Sequence, residues 1–158
     1  MLDATGYGKW SLVSAGTVRT DAKLPLDVRL LAIAQAVREV VAGWTVTAAV
    51  VECAADQPIY NRGGARTGDA RAIAKLMLST GAVVGALRLP PSGLLLVSPS
   101  RWWPRNGRNK WSEAQLVKHA RARTPALARE SEHAVTAVSL GDWWTRNDGL
   151  IVLSRPAA

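Results

Sequence analysis

The 158-residue chain holds one cysteine, Cys53, no phenylalanine, two histidines and only twelve acidic residues. A single thiol excludes an internal disulfide and a cysteine-rich zinc site. No apolar run reaches about 18 residues, and the first residues lack the charged-then-apolar pattern of a secretion signal. The sequence therefore reads as a soluble, non-secreted protein with no membrane partner. The scarcity of acids, set against twenty Lys and Arg, leaves a net charge of +8 and a pI near 10.6. An excess of that size points to an anionic partner, of which nucleic acid is the commonest. Hydrophobic residues make up 48%, too many for a disordered chain. A chain of this length buries about 68–70% of its unfolded surface without staples. We expect one domain over 1–158, with 147–158 as a short C-terminal tail. No repeat, low-complexity tract or linker divides it.

The charge is uneven. Residues 1–79 carry nine basic and seven acidic side chains; residues 80–158 carry eleven and five. The stretch 101–129 holds Arg101, Arg105, Arg108, Lys110, Lys118, Arg121, Arg123 and Arg129 against one acid, Glu113. Such a face can neutralise several phosphates and release their counterions. The plain alternative is a solvated surface that keeps the protein soluble. Asn106, Asn109 and Trp111 in the same stretch favour nucleic acid, since they bond to or stack on nucleotides.

Residues 11–19 read as a strand, and Gly6, Gly8 and Gly16 suggest a hairpin or bulge. Leu26, Leu30, Ile33, Val37 and Val40 share one helical face over 25–42, opened by Pro25 and closed by Gly43. The apolar run 46–51 reads as a strand buried on both faces, the habit of parallel sheets. A second helix carries Ile73, Leu76, Met77, Thr80, Val84 and Leu87. Gly81 and Gly85 inside it cost stability unless another backbone packs there. Pro90 and Pro91 end it, and 93–98 reads as another buried strand. Ser112 and Gln115 fit a capping box that opens a helix running to about Arg123. A last helix is expected over about 129–145, packing through Ala134, Ala137, Val138 and Gly141. This order gives an α/β plan with a mixed sheet and helices on its faces.

In such folds active groups collect at the carboxyl ends of strands. Glu52 sits there, directly after an apolar run, where a carboxylate is costly unless exposed, paired or metal-bound. Asp3 is an acid just before a Gly-rich turn. Glu130 and His133 are spaced i, i+3 at the start of the last helix and can share a face. Taken singly each has a plain structural reading: a strand-ending charge, a terminal residue, a surface pair. Together they suggest a divalent-ion site, since a cation relieves the repulsion of clustered carboxylates. Two ions about 3.5–4 Å apart can activate water against a phosphodiester.

In the segments TGYG (5–8), SAGTVRT (14–20), helix 25–42, VVE (50–52), NGRNKWSEAQLVKHA (106–120) and HAVTAV (133–138), the sequence resembles RuvC-type Holliday junction resolvases. These belong to the RNase H-like nuclease superfamily of bacteria and phages. The resemblance implies a mixed five-stranded sheet flanked by helices, a cytoplasmic homodimer, and two Mg²⁺ or Mn²⁺ ions that nick a four-way DNA junction. It implies Asp3, Glu52, Glu130 and His133 as metal ligands, with Glu132 an alternative in that register. Lys110 would touch the phosphate near the active site. Asn106, Gly107 and Arg108 would form a basic loop, and Arg62 and Arg66 a loop beside the junction centre. Arg105 and Lys118 join the DNA-binding set. Asp3 stands only three residues before Gly6, closer than the family's first acid. Either that turn is shortened or the first acid is missing. In the latter case the chain binds DNA without cutting well. A nuclease on other branched DNA or RNA is a further alternative. Trp102, Trp103 and Trp111 flank the basic loop and can stack on a base, whereas Trp44, Trp143 and Trp144 are expected in the core. Val83 and Val84, with the glycines of their helix, make either a dimer interface or a core face. Cys53 is expected to be a small buried hydrophobe.

Overall fold

The computed structural model describes residues 1–6, 9–12, 14–53, 69–106 and 109–147. The chain divides into two units. Unit 1 combines Met1–Thr17 with Ser100–Ala158, and unit 2 is Val18–Pro99.

Unit 1 begins with the hairpin that the glycines foretell. Strands β1 (Leu2–Gly6) and β2 (Lys9–Leu12) pair antiparallel, with a register slip between Ala4 and Gly6. Of the strand predicted over 11–19, the first two residues belong to β2, and 14–19 are not strand. The Met1 amino group donates to the Ser14 carbonyl at the open end, and burial pushes its pKa down. After the short helix α3 (Pro99–Trp102), a second hairpin pairs β5 (Arg105–Asn106) with β6 (Asn109–Lys110). Helix α4 (Glu113–Arg123) opens on the expected capping box. The Ser112 hydroxyl accepts from the Gln115 N–H, and the Gln115 side chain accepts from the Ser112 N–H. Helix α5 (Glu132–Asn147) starts three residues later than expected. Ser131 caps it, its hydroxyl accepting from the Ala134 N–H at 3.2 Å and bonding the Thr17 hydroxyl. The core sits where these elements meet. Leu127 and Val135 are fully buried with Val117 and Val138, and Leu2, Leu12, Ala15 and Ala120 pack against them. Gly141 lets Leu2 approach closely here: a Cβ on it would lie 2.6 Å from Leu2 Cδ1, so the leucine side chain would have to shift.

Unit 2 is built from α1 (Leu26–Val41), β3 (Ala49–Glu52), α2 (Ala70–Leu87) and β4 (Leu94–Val97). The first helix ends as read, with Gly43 at φ +84 just past it. Asp69 caps α2 by accepting from the Arg71 N–H, and Arg88 in the left-handed region closes it. β3 and β4 run parallel, Ala49 opposite Leu94 and Glu52 opposite Val97. α1 and α2 pack on each other.

Three expectations need correction. The chain does not form the RNase H-like mixed five-stranded sheet. The described strands make three separate two-stranded sheets, and most of the ordered structure is helical. Four of the six described strands are consumed by local hairpins, which satisfy their hydrogen bonds without extending the β3–β4 pair. Second, β3 and β4 are not buried on both faces: Val50 and Val51 are half-buried and Leu96 is 47% exposed. Third, among the described residues nothing lies within 4 Å of a Cβ built on Gly81 or Gly85, so none of their backbone packs into that notch. Leu76 and Met77, expected on the packed face, are exposed, as is Val40. By length and composition α2 is apolar enough to cross a membrane. Residues 148–158, most of the expected tail, lie outside the described residues.

Candidate nucleic-acid interface

The proposed metal ligands are distributed over both units. Asp3 lies in β1 opposite Ser11, and Glu130 and His133 also belong to unit 1, whereas Glu52 ends β3 in unit 2. Glu52 is exposed, and the neighbouring Cys53 is buried as expected. Glu130 is not in the last helix. It sits in a bend before α5, its N–H donating to the Leu127 carbonyl and its own carbonyl accepting from Arg121. The helical i, i+3 face expected for Glu130 and His133 therefore does not exist. His133 and Glu132 are exposed in the first turn of α5. Among the described residues no group of three or more His, Cys, Asp or Glu comes together to hold a metal ion.

The basic stretch fares differently. Lys110 on β6 and Lys118 on α4 are exposed, and so are Arg101, Arg123 and Arg129. Arg121 is committed internally: its Nη2 donates to the Glu130 carbonyl at 2.8 Å, tying α4 to the start of α5. Arg105 and Asn106 form β5, opposite Lys110 and Asn109. Arg108, Arg62 and Arg66 lie outside the described residues.

Of these cations Arg123 lines an aromatic groove, together with Arg146 from α5. Trp111 follows β6 directly, and its backbone N–H donates to the Pro104 carbonyl at 3.0 Å. The Trp103 indole N–H donates to the Trp111 carbonyl at 2.8 Å, closing the base of the hairpin. His119, two turns into α4, meets the Trp111 ring edge-to-face, with centroids 5.1 Å apart. From α5, Trp143 faces the same groove, with the Arg101 guanidinium 5.8 Å over its ring. Asp142 beside it holds two arginines: Arg146 Nε at 2.9 Å and Arg123 Nη1 at 3.8 Å. The groove these residues line has a volume of about 950 Å³.

The tryptophans keep their expected roles only in part: Trp111 lines the groove, and Trp102 does so from a buried position. Trp102, expected to stack on ligand, is 3% exposed and packs against Trp103 at 5.1 Å. Trp44, expected in the core, is 54% exposed. Trp143, also expected in the core, is half-buried and lines the groove. His119 and Asp142 were not anticipated at the site. His119 stands eight residues after Trp111, a spacing that a capped helix turns into a contact, so the capping box was a usable signal for it. No family model matches this chain, and no curated protein or solved structure matches it either.

Proposed function

We propose that the protein binds nucleic acid through the basic, aromatic face of unit 1. The observation that supports this reading is a tryptophan-lined groove that carries Arg123 and Arg146 in its lining and Arg101 over the ring of Trp143, with exposed Lys110 and Lys118 on the strand and helix that flank Trp111 in sequence. Unit 1 carries eleven basic and six acidic residues, so its own field attracts polyanions. Phosphate contacts supply affinity, and the aromatic rings supply contact with bases. The reading places the protein in the cytoplasm, with nucleic acid as its partner. A four-way junction is the first ligand to test, because the sequence resemblance points to it. Titration of a labelled junction at rising salt decides the matter. With about four phosphates neutralised, log K falls with log salt at a slope of about −3.5. A flat response refutes the proposal.

Metal-dependent hydrolysis is a second reading, favoured by the place of Glu52 at the carboxyl end of a parallel strand pair. It carries with it the homodimer and the Mg²⁺ or Mn²⁺ ions of the resemblance. Nicking of the junction with Mg²⁺, lost in Glu52→Gln while binding persists, supports it; uncut junction refutes it.

A further inference from the structure

We infer that the groove of unit 1 accepts an unpaired base, so that single-stranded or splayed nucleotides are the preferred ligand over closed duplex. The inference rests on the nucleic-acid reading and names the ligand class of its site. A base inside a duplex has both faces covered by its neighbours. Only an unstacked base can offer a π-face to a side chain.

The groove is built for that face. Its volume of about 950 Å³ is in the range of a small-ligand site and has room for a nucleotide. Trp111 and Trp143 stand in it from different elements, β6–α4 and α5, and both are half-buried. Trp143 already carries the Arg101 guanidinium 5.8 Å over its ring, and the Trp111 ring is held in place. The edge-on contact with His119 fixes the Trp111 ring and covers at most one of its faces. The hairpin base holds its backbone through bonds at both the N–H and the carbonyl. A ring already held in place loses little conformational freedom on binding.

The charged groups complete the recognition. Arg123 and Arg146 share Asp142, so the trio carries a net positive charge beside the aromatic walls. Arg146 gives its Nε to Asp142, and its terminal amines are donors for a phosphate oxygen. The chemistry is a planar heteroaromatic ring linked to an anion, which is the chemistry of a nucleotide. An apolar peptide would leave the two guanidiniums without an anionic partner of its own.

The test uses the full chain and tryptophan quenching. Four ligands of equal length are titrated at fixed salt: (dT) and (rU) strands, a blunt duplex, and a DNA strand made abasic throughout. The single strands are expected to bind at least about tenfold more tightly than duplex. The abasic strand, with the same phosphates, is expected to lose about 5- to 150-fold, the effect of removing base–aromatic stacking. Trp111→Ala reproduces that loss on (dT) and leaves the abasic strand unaffected, while Trp111→Phe recovers most of it. The two base-bearing strands separate DNA from RNA preference. Equal binding of all four ligands with a steep salt dependence overturns the inference and leaves the nucleic-acid reading standing. No binding to any of them overturns both.

Discussion

Leu127→Ala measures whether unit 1 has the core described. Leu127 is fully buried in the turn between α4 and α5, against Val117, Val135 and Val138. Truncation removes three carbons, about 2.4 kcal/mol of transfer free energy at ~0.8 per methylene. The cavity adds to this, because helices pinned by Arg121 and by the Ser131 cap collapse only partly, and the total is about 3–4 kcal/mol. Six of the seven tryptophans belong to unit 1, so intrinsic fluorescence follows that unit. With a urea slope of about 2 kcal/mol/M, the midpoint falls by about 1.5–2 M. Leu31→Ala is the matched control: the same truncation in α1, at a side chain 68% exposed. About a third of the transfer term applies there, less a small gain in helix propensity, leaving roughly 0.5 kcal/mol by far-UV dichroism. Equal costs for the two leucines, or a loss below about 1 kcal/mol at Leu127, would refute the core assignment.

Gly93→Ala places a Cβ 2.8 Å from the Thr47 carbonyl oxygen, a backbone atom that cannot swing aside. We expect a loss of about 1–3 kcal/mol in thermal melts, against less than about 0.5 for Ser92→Ala next to it. Asp142→Asn keeps the shape of the side chain that gathers Arg123 and Arg146 but removes its charge. Oligonucleotide affinity should rise about two- to tenfold at low salt, at a stability cost below about 1 kcal/mol because the pairs are partly exposed. Weaker binding would exclude these arginines as phosphate contacts.

Periodicity and caps made the helices legible. The four-three spacing of Leu26 to Val37, the Ser112–Gln115 box and the Pro90–Pro91 stop each mark a local event that the backbone obeys wherever it is placed. The parallel pairing of β3 with β4 also follows from the sequence, since a helix-length crossover separates two short apolar runs. The five-stranded sheet is an implication of the resemblance alone, and the larger mixed sheet fails because an apolar run states what a strand is made of, not how many neighbours it has. Leu94–Val97 is apolar throughout, yet Leu96 is largely open to solvent. The Asn106-Gly107 pair is a strong hairpin signal, and with it β5 and β6 were legible as a local pair. Sequence also hid the difference between the units. All ten of the large hydrophobics exposed among the described residues, from Val18 to Leu96, fall in unit 2, although α1 and α2 have the spacing of packed helices.

The basic character of the site was legible, but its architecture was not. Counting cations over 101–129 singles out Arg121 no less than Lys118, and only the fold separates them. Arg121 holds the α4–α5 turn, and Lys118 stands in solvent. Trp143 joins the groove through packing of α5 on α4, a contact between residues far apart in the chain that no local pattern encodes. That long-range origin has a consequence for recognition. The groove walls come from two helices whose spacing is set by the buried Leu127, Val135 and Val138. Aromatic rings on a flexible basic loop would have to be ordered when ligand arrives, and part of each stacking contact would be spent on that ordering. Rings carried on a packed core arrive ordered, so discrimination between paired and unpaired bases is set by geometry and survives at salt concentrations where the phosphate attraction is screened.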